Sequence, residues 1–176
     1  MSMTATLGPH LPYLRRYARA LTGSQVSGDA YVRASLEALL DGNAELAKDV
    51  PPRLALYRLF HVLWSSSGKY ESVAPGAARA GVESRLQALL PTNREALLLT
   101  AVEGFTIPEV AKILDWSEGD VEQAINAALK SIDRDLESRV LIIEDETIIA
   151  LDIENLVTEM GHKVTGIATT RDDAIR

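Results

Sequence analysis

Between Thr92 and Asp120 one signature occurs three times: Thr92-x-x-Glu95, Thr106-x-x-Glu109 and Ser117-x-x-Asp120. Each sets a hydroxyl three residues ahead of a carboxylate, the reciprocal arrangement that closes the first turn of a helix. Gly104 separates the first two starts and Asp115-Trp116-Ser117 the last two, so the first two helices must be short and the turns tight. A shorter helix over VESRLQALL ends ahead of them at Pro91. The pattern predicts a helix-turn-helix unit whose third helix continues to about Glu137.

Upstream, the apolar spacing predicts three more helices. LPYLRRYARAL puts Leu11, Leu14, Tyr17, Ala18 and Leu21 on one face and stops at Gly23. SGDAYVRASLEALLDG offers Ser27 or Asp29 as a cap and ends at Gly42. PPRLALYRLFHVLW begins at paired prolines, which suit a first turn, and is apolar almost all round, as the buried centre of a bundle is. Tyr57, Phe60 and Trp64 sit at helical spacing and read as core. Residues 66–82, rich in Ser, Gly and Ala, read as a linker with room for a marginal helix.

From Arg139 the period changes. Val140 to Ile143 form a continuous apolar run suited to a buried parallel strand, and three acids, Glu144, Asp145 and Glu146, follow at once. Ile148, Ile149, Leu151, Ile153, Leu156, Val157 and Met160 make a helical stripe ending at Gly161. KVTGIA is a second strand, and TTRDDAIR opens another helix. The fold class expected is therefore mainly α, two helical subdomains (1–65 and 83–137), followed by an incomplete α/β start of βαβ type over 138–176. Taken alone, an acidic triplet after a strand is a solvated loop more often than a metal site.

Composition excludes several functions. There are no cysteines, so disulfides and thiolate metal sites are absent. The longest apolar runs are too short to span a bilayer, and no signal pattern opens the chain, so cytoplasmic residence without membrane contact is expected. His10, His61 and His162 are scattered with no nucleophile or metal-ligand spacing, and no glycine-rich phosphate loop is present, so no enzyme is expected.

Charge is the more informative quantity. Residues 83–137 carry eleven acids and five bases, a net of −6. A DNA reader needs the opposite sign, because phosphate contacts supply much of its affinity. The face of the third helix that would meet DNA carries Ser117, Glu118, Asp120, Glu122, Gln123 and Asn126. Asp120 and Glu122 also suit a helix N-terminus on electrostatic grounds alone.

LQALLPTNREALLLTAVEGFTIPEVAKILDWSEGDVEQAINAALKSI resembles region 4 of extracytoplasmic-function sigma factors, and SGDAYVRASLEALL with RLALYRLFHVLW resembles the core helices of sigma region 2. VLIIEDE is similar to the first strand and acidic pair of a response-regulator receiver. A sigma-like half ahead of a receiver resembles the PhyR-type regulators of the alphaproteobacterial general stress response. The resemblance implies a phosphorylation-controlled anti-anti-sigma factor. Its sigma-like part would sequester a NepR-type anti-sigma factor by mimicry, with Asp120, Glu122, Gln123 and Asn126 as partner-binding candidates, and DNA binding would be lost. A DNA-binding sigma-type factor is the alternative. The resemblance also implies that Glu144 and Asp145 supply part of a Mg²⁺ site completed only in a whole receiver, served there by a sensor histidine kinase. No phosphoacceptor lies in these residues, and no cofactor is expected on them. Lacking a third strand, the first would present an unpaired edge, so docking of this segment or strand-mediated self-association is expected.

Overall fold

The structure, a computed structural model, describes residues 3–66 and 82–175. Its elements are α1 (Met3–Leu7), a 3₁₀ turn (Gly8–His10), α2 (Leu11–Thr22), α3 (Gln25–Leu40), α4 (Pro52–Ser66), α5 (Val82–Ala88), α6 (Pro91–Leu97) running into a π turn (Leu98–Val102), α7 (Ile107–Leu114), α8 (Glu118–Leu136), β1 (Arg139–Ile143), α9 (Thr147–Glu159), β2 (Lys163–Ala168) and α10 (Arg171–Ile175). They form two compact units, Met1–Ala128 and Leu129–Arg176. The predicted linker lies almost wholly outside the described residues.

In the first unit α2 buries Leu14, Tyr17, Ala18 and Leu21, the stripe its spacing predicts. It packs closely on α3: a Cβ added to Gly28 would come within 2.7 Å of the Arg19 backbone nitrogen, so only glycine lets the two helices approach this far. The start of α3 differs from expectation. Gly23, in the left-handed region at φ 66°, ends α2, and the next residue, Ser24, is extended and accepts from the Ser27 N–H at 3.3 Å. Ser24 therefore caps the helix, not Ser27 or Asp29. Asp29 instead takes paired bonds from Arg15 and Arg19 of α2, with Nη2 to Oδ2 distances of 2.9 and 2.8 Å.

Helix α4 occupies the centre of the unit, with Leu56, Tyr57 and Phe60 fully enclosed and Trp64 buried. These aromatics pack edge-to-face with their neighbours, Tyr17 on Phe60, Tyr31 on Trp64 and Tyr57 on Phe105, as core residues do. The core runs without a break from Leu14 through Phe60 to Leu99, Val110 and Val121, so both helical parts contribute to one interior.

Of the three signature pairs, two cap helices. Thr106 and Glu109 form a full capping box, and Ser117 Oγ accepts from the Asp120 N–H at 3.1 Å while donating to Asp120 Oδ2 at 2.6 Å. Thr92 does not cap. Pro91, whose ring presets a helical φ and which has no N–H to satisfy, takes the first helical position, and Leu90 is the uncapped residue before it. Glu95 turns inward.

The second unit is a two-stranded parallel sheet, β1 on β2, with Arg139 opposite Lys163 and Ile143 opposite Ala168. Ile142, Ala168 and Ala150 are its buried apolar residues. The expected burial of β1 is only half realised, because one face of so small a sheet is covered. Leu141 and Ile143 remain 46% and 63% exposed. Among the described residues no helix is long and apolar enough to cross a membrane.

Candidate partner-binding surface

Helix α8 buries Val121, Ala124 and Ala128 and turns Asp120, Glu122, Gln123 and Asn126 outward. All four predicted contact residues are thus exposed on the helix that a DNA reader would insert into the major groove. Beside them lies an open groove of about 410 Å³ between the start of α6 and the start of α8. Its apolar lining comes from Leu90, Trp116, Ala124 and Ala127, and its polar lining from Thr92, Asn93, Asp120 and Gln123. Leu90, at 66% exposure, is an apolar side chain left in solvent at the lip. The groove gathers Asp120 and Gln123; Glu122 and Asn126 lie outside it.

An apolar groove with a carboxylate at its edge suits an amphipathic helix carrying a basic residue. It suits a polyanion poorly. Glu118 and Asp120 stand in the first turn of α8, Glu122 just beyond it, all three exposed. Each phosphate brought within about 4 Å of such a carboxylate costs at least ~1 kcal/mol even in bulk water.

Glu144 and Asp145 follow β1 at the carboxyl end of the sheet, where α/β folds place ligands. Glu144 Oε1 accepts from the Glu146 N–H at 3.0 Å, and Asp145 is exposed. Asp173 at the start of α10 is engaged with Thr170, its Oδ2 accepting from Oγ1 at 2.7 Å. Among the described residues no three His, Cys, Asp or Glu side chains gather as a metal would need.

A second set of charged residues was not expected from the sequence to be buried. Arg94, Glu95 and Glu103 are buried at 3%, 2% and 5% exposure. Trp64 Nε1 donates to Glu95 Oε1 at 2.8 Å. Glu103 accepts from Tyr57 Oη at 2.7 Å, from Arg16 Nη2 at 2.8 Å and from Arg53 Nη2 at 3.3 Å. Burial and this carboxylate together push the Tyr57 hydroxyl well above the ordinary phenol range. Their only advance signal was the presence of acids and a base inside an apolar helical run.

The fold and the acid-faced reading helix define a class: a sigma-like helical protein running into the start of a receiver. The family of the sigma2 domain of PhyR matches residues 7–61, and that of the response regulator PhyR sigma-like domain matches residues 86–135. The phyllosphere-induced regulator PhyR of Methylorubrum extorquens is 41% identical over 179 residues, covering 100% of this chain and 66% of that protein. The anti-anti-sigma factor PhyR complexed with the anti-sigma factor NepR, from Bartonella quintana, superposes with a TM-score of 0.80 at 41% identity, over 99% of this chain and 67% of that one. A PhyRSL–NepR complex from Sphingomonas sp. Fr1 matches 76% of this chain and 88% of its own, at 43% identity and a TM-score of 0.63. The chain belongs to the PhyR family of response regulators. It spans about two thirds of the length of the Methylorubrum and Bartonella relatives.

Proposed function

We propose that the sigma-like part of this chain captures a NepR-type anti-sigma factor by mimicry and so frees a sigma factor for stress transcription. The observation that carries the reading is the exposed acidic face of α8 beside an apolar groove, on a sigma-like frame. Relatives of the same fold are known in complex with NepR, which supports that class of partner. The role is regulatory, with no catalytic step, and fits the cytoplasm. Asp120 and Gln123 line the groove; Glu122 and Asn126 extend the polar surface beyond it. In a whole receiver a third-strand aspartate would join Glu144 and Asp145 around Mg²⁺, and a sensor histidine kinase would supply the phosphoryl group that controls capture. The residues here contain no acceptor, so their binding should be insensitive to acetyl phosphate and Mg²⁺.

The test pairs calorimetry against a NepR-type protein with a gel shift on promoter DNA at moderate salt. The wild-type chain should bind the protein and leave DNA unshifted. Asp120→Thr with Glu122→Lys should weaken the first and create measurable, salt-sensitive affinity for the second. Robust DNA binding by the wild type would establish the sigma-type alternative instead.

A further inference from the structure

Among the described residues, the three buried formal charges lie on the α6–π helix or at its C-cap, Glu103. All three grip the helices of residues 1–66. Glu95 receives Trp64 of α4; Glu103 receives Tyr57 and Arg53 of α4 and Arg16 of α2; Arg94 donates to the Leu21 carbonyl at the end of α2 at 2.8 Å. The α4 contacts run antiparallel, the later residue Trp64 meeting the earlier Glu95, and the earlier Arg53 and Tyr57 meeting the later Glu103.

The π turn sharpens this alignment. In an unbroken α-helix, eight residues carry a side chain about 80° past its starting direction, which would set Glu103 toward the margin of the face that Glu95 occupies. Leu98–Val102 take in an extra residue, with the Glu103 N–H bonded five residues back to Leu98 O at 3.1 Å. That insertion swings Glu103 back toward α4. Gly104, at φ 70°, then turns the chain away, and Arg53 closes the corner by donating to the Glu103 carbonyl and stacking its guanidinium 4.2 Å from the Phe105 ring. π insertions recur at functional positions, since they cost helix stability unless something is gained.

We propose that this charged joint, with Glu103 as its positioning residue, fixes the two sigma-like parts in one docked register and thereby preforms the surface a partner recognises. The proposal rests on the reading of the chain as a NepR-type binder and specifies what holds that binder ready. Buried ion pairs contribute little net stability, because desolvation offsets attraction, but they penalise every misdocked arrangement that leaves one partner alone. Apolar contacts such as Tyr57 on Phe105 hold the parts together; the carboxylates decide how they meet. A protein whose competent arrangement is only partly populated binds with affinity reduced by that fraction.

These 176 residues contain no cysteine, which allows a direct measurement on this chain. Glu37→Cys on α3 and Lys112→Cys on α7, both exposed and both within Met1–Ala128, carry spin labels for a distance distribution. The otherwise wild-type pair should give one narrow distribution, Glu103→Ala a broad one, and Glu103→Gln, which still accepts from Tyr57, an intermediate one. Affinity for a NepR-type protein should follow in the same order, falling about tenfold if the docked fraction falls to one tenth. A folded Glu103→Ala with an unchanged narrow distribution overturns the joint. A broadened distribution with unchanged affinity overturns its positioning role. Should Glu103→Ala not fold, Tyr57→Phe and Arg16→Met each remove one donor, and unbroadened distributions in both overturn the proposal. A wild type that binds no NepR-type protein overturns the functional reading, while the distances still judge the joint.

Discussion

Arg94→Met is the substitution whose cost can be worked most directly from the structure. Arg94 Nη1 donates to Leu21 O at 2.8 Å and to Gln87 Oε1 at 2.6 Å, and Nη2 donates to Gln87 O and Leu89 O at 2.8 and 2.9 Å. Three of these acceptors are main-chain carbonyls where α2 and α5 end, groups that a helix cannot satisfy from within. Methionine keeps the apolar stem and removes every donor. Each acceptor left dry costs about 1–3 kcal/mol. Against this, the guanidinium is itself strained by burial: desolvation lowers its pKa from the ordinary arginine value, and its Nε finds no partner among the described residues. Removing it relieves that penalty. With four acceptors orphaned and one buried cation relieved, a net loss of roughly 3 kcal/mol is expected, a large share of the 5–15 kcal/mol typical of a domain.

Urea unfolding followed by tryptophan fluorescence is the assay. Both tryptophans, Trp64 and Trp116, lie in the Met1–Ala128 unit, so the signal reports that unit alone. The midpoint should fall with the slope unchanged. Arg94→Lys should lose nearly as much, because one ammonium cannot span acceptors on two helix ends. A loss below about 0.5 kcal/mol in Arg94→Met would refute the reasoning, since that is the range of featureless surface positions.

Two further outcomes are expected. Burial lowers the pKa of His61, whose Nε2 lies 2.7 Å from Tyr17 Oη, from 6.5 to about 3. The unfolded chain therefore takes up a proton near pH 6.5 that the folded chain refuses, so the stabilisation is complete above 6.5 and is lost as pH falls toward 3, by about 1.4 kcal/mol per pH unit. His61→Gln should flatten that slope in fluorescence-detected unfolding; an identical slope would dismiss His61 as its source. Asp29, which Arg15 and Arg19 hold well below the ordinary carboxylate range, loses its contribution only below its ordinary value of 3.8, so the two effects separate. In the second unit, Ile143, Ile148 and Met160 are 63%, 77% and 71% exposed, and one edge of β1 has no partner strand among the described residues. Sedimentation should show concentration-dependent association of the chain, reduced by Leu141→Lys with Ile143→Lys, and a monomer at every concentration would rule strand-mediated pairing out.

What was legible in the sequence was what local physics decides. The α2 stripe, the Thr106 and Ser117 caps, the left-handed glycines and the period change at Arg139 all depend on residues within one or two turns of each other. The misreadings came where two local signals competed. Thr92 offered a cap, but Pro91 ahead of it took the first helical position; Ser27 and Asp29 offered caps, but Gly23 ended α2 early enough for Ser24 to act first. The joint was illegible for a different reason. A π turn aligns Glu95 and Glu103 more closely than their spacing alone would, and their partners lie 31 and 46 residues away in sequence, so no window contains both sides.

The proposed partner surface was read from charge, yet its two candidate acids, Asp120 and Glu122, do not carry the same weight. Asp120 is committed to its own helix: its N–H donates to Ser117 Oγ, and its carboxylate accepts from the same hydroxyl. An acid there is explained by capping alone, worth about 1 kcal/mol, whatever the helix binds. Glu122 enters no hydrogen bond among the described residues and is exposed, so the fold does not require its charge. If the face is shaped by a basic partner, Glu122 is where that shows without interference from stability. Glu122→Gln should therefore weaken capture of a NepR-type protein while leaving the unfolding midpoint in place, whereas Asp120→Asn should move both. Equal losses of stability in the two variants would place both acids in the helix's own service and remove charge as the argument for mimicry.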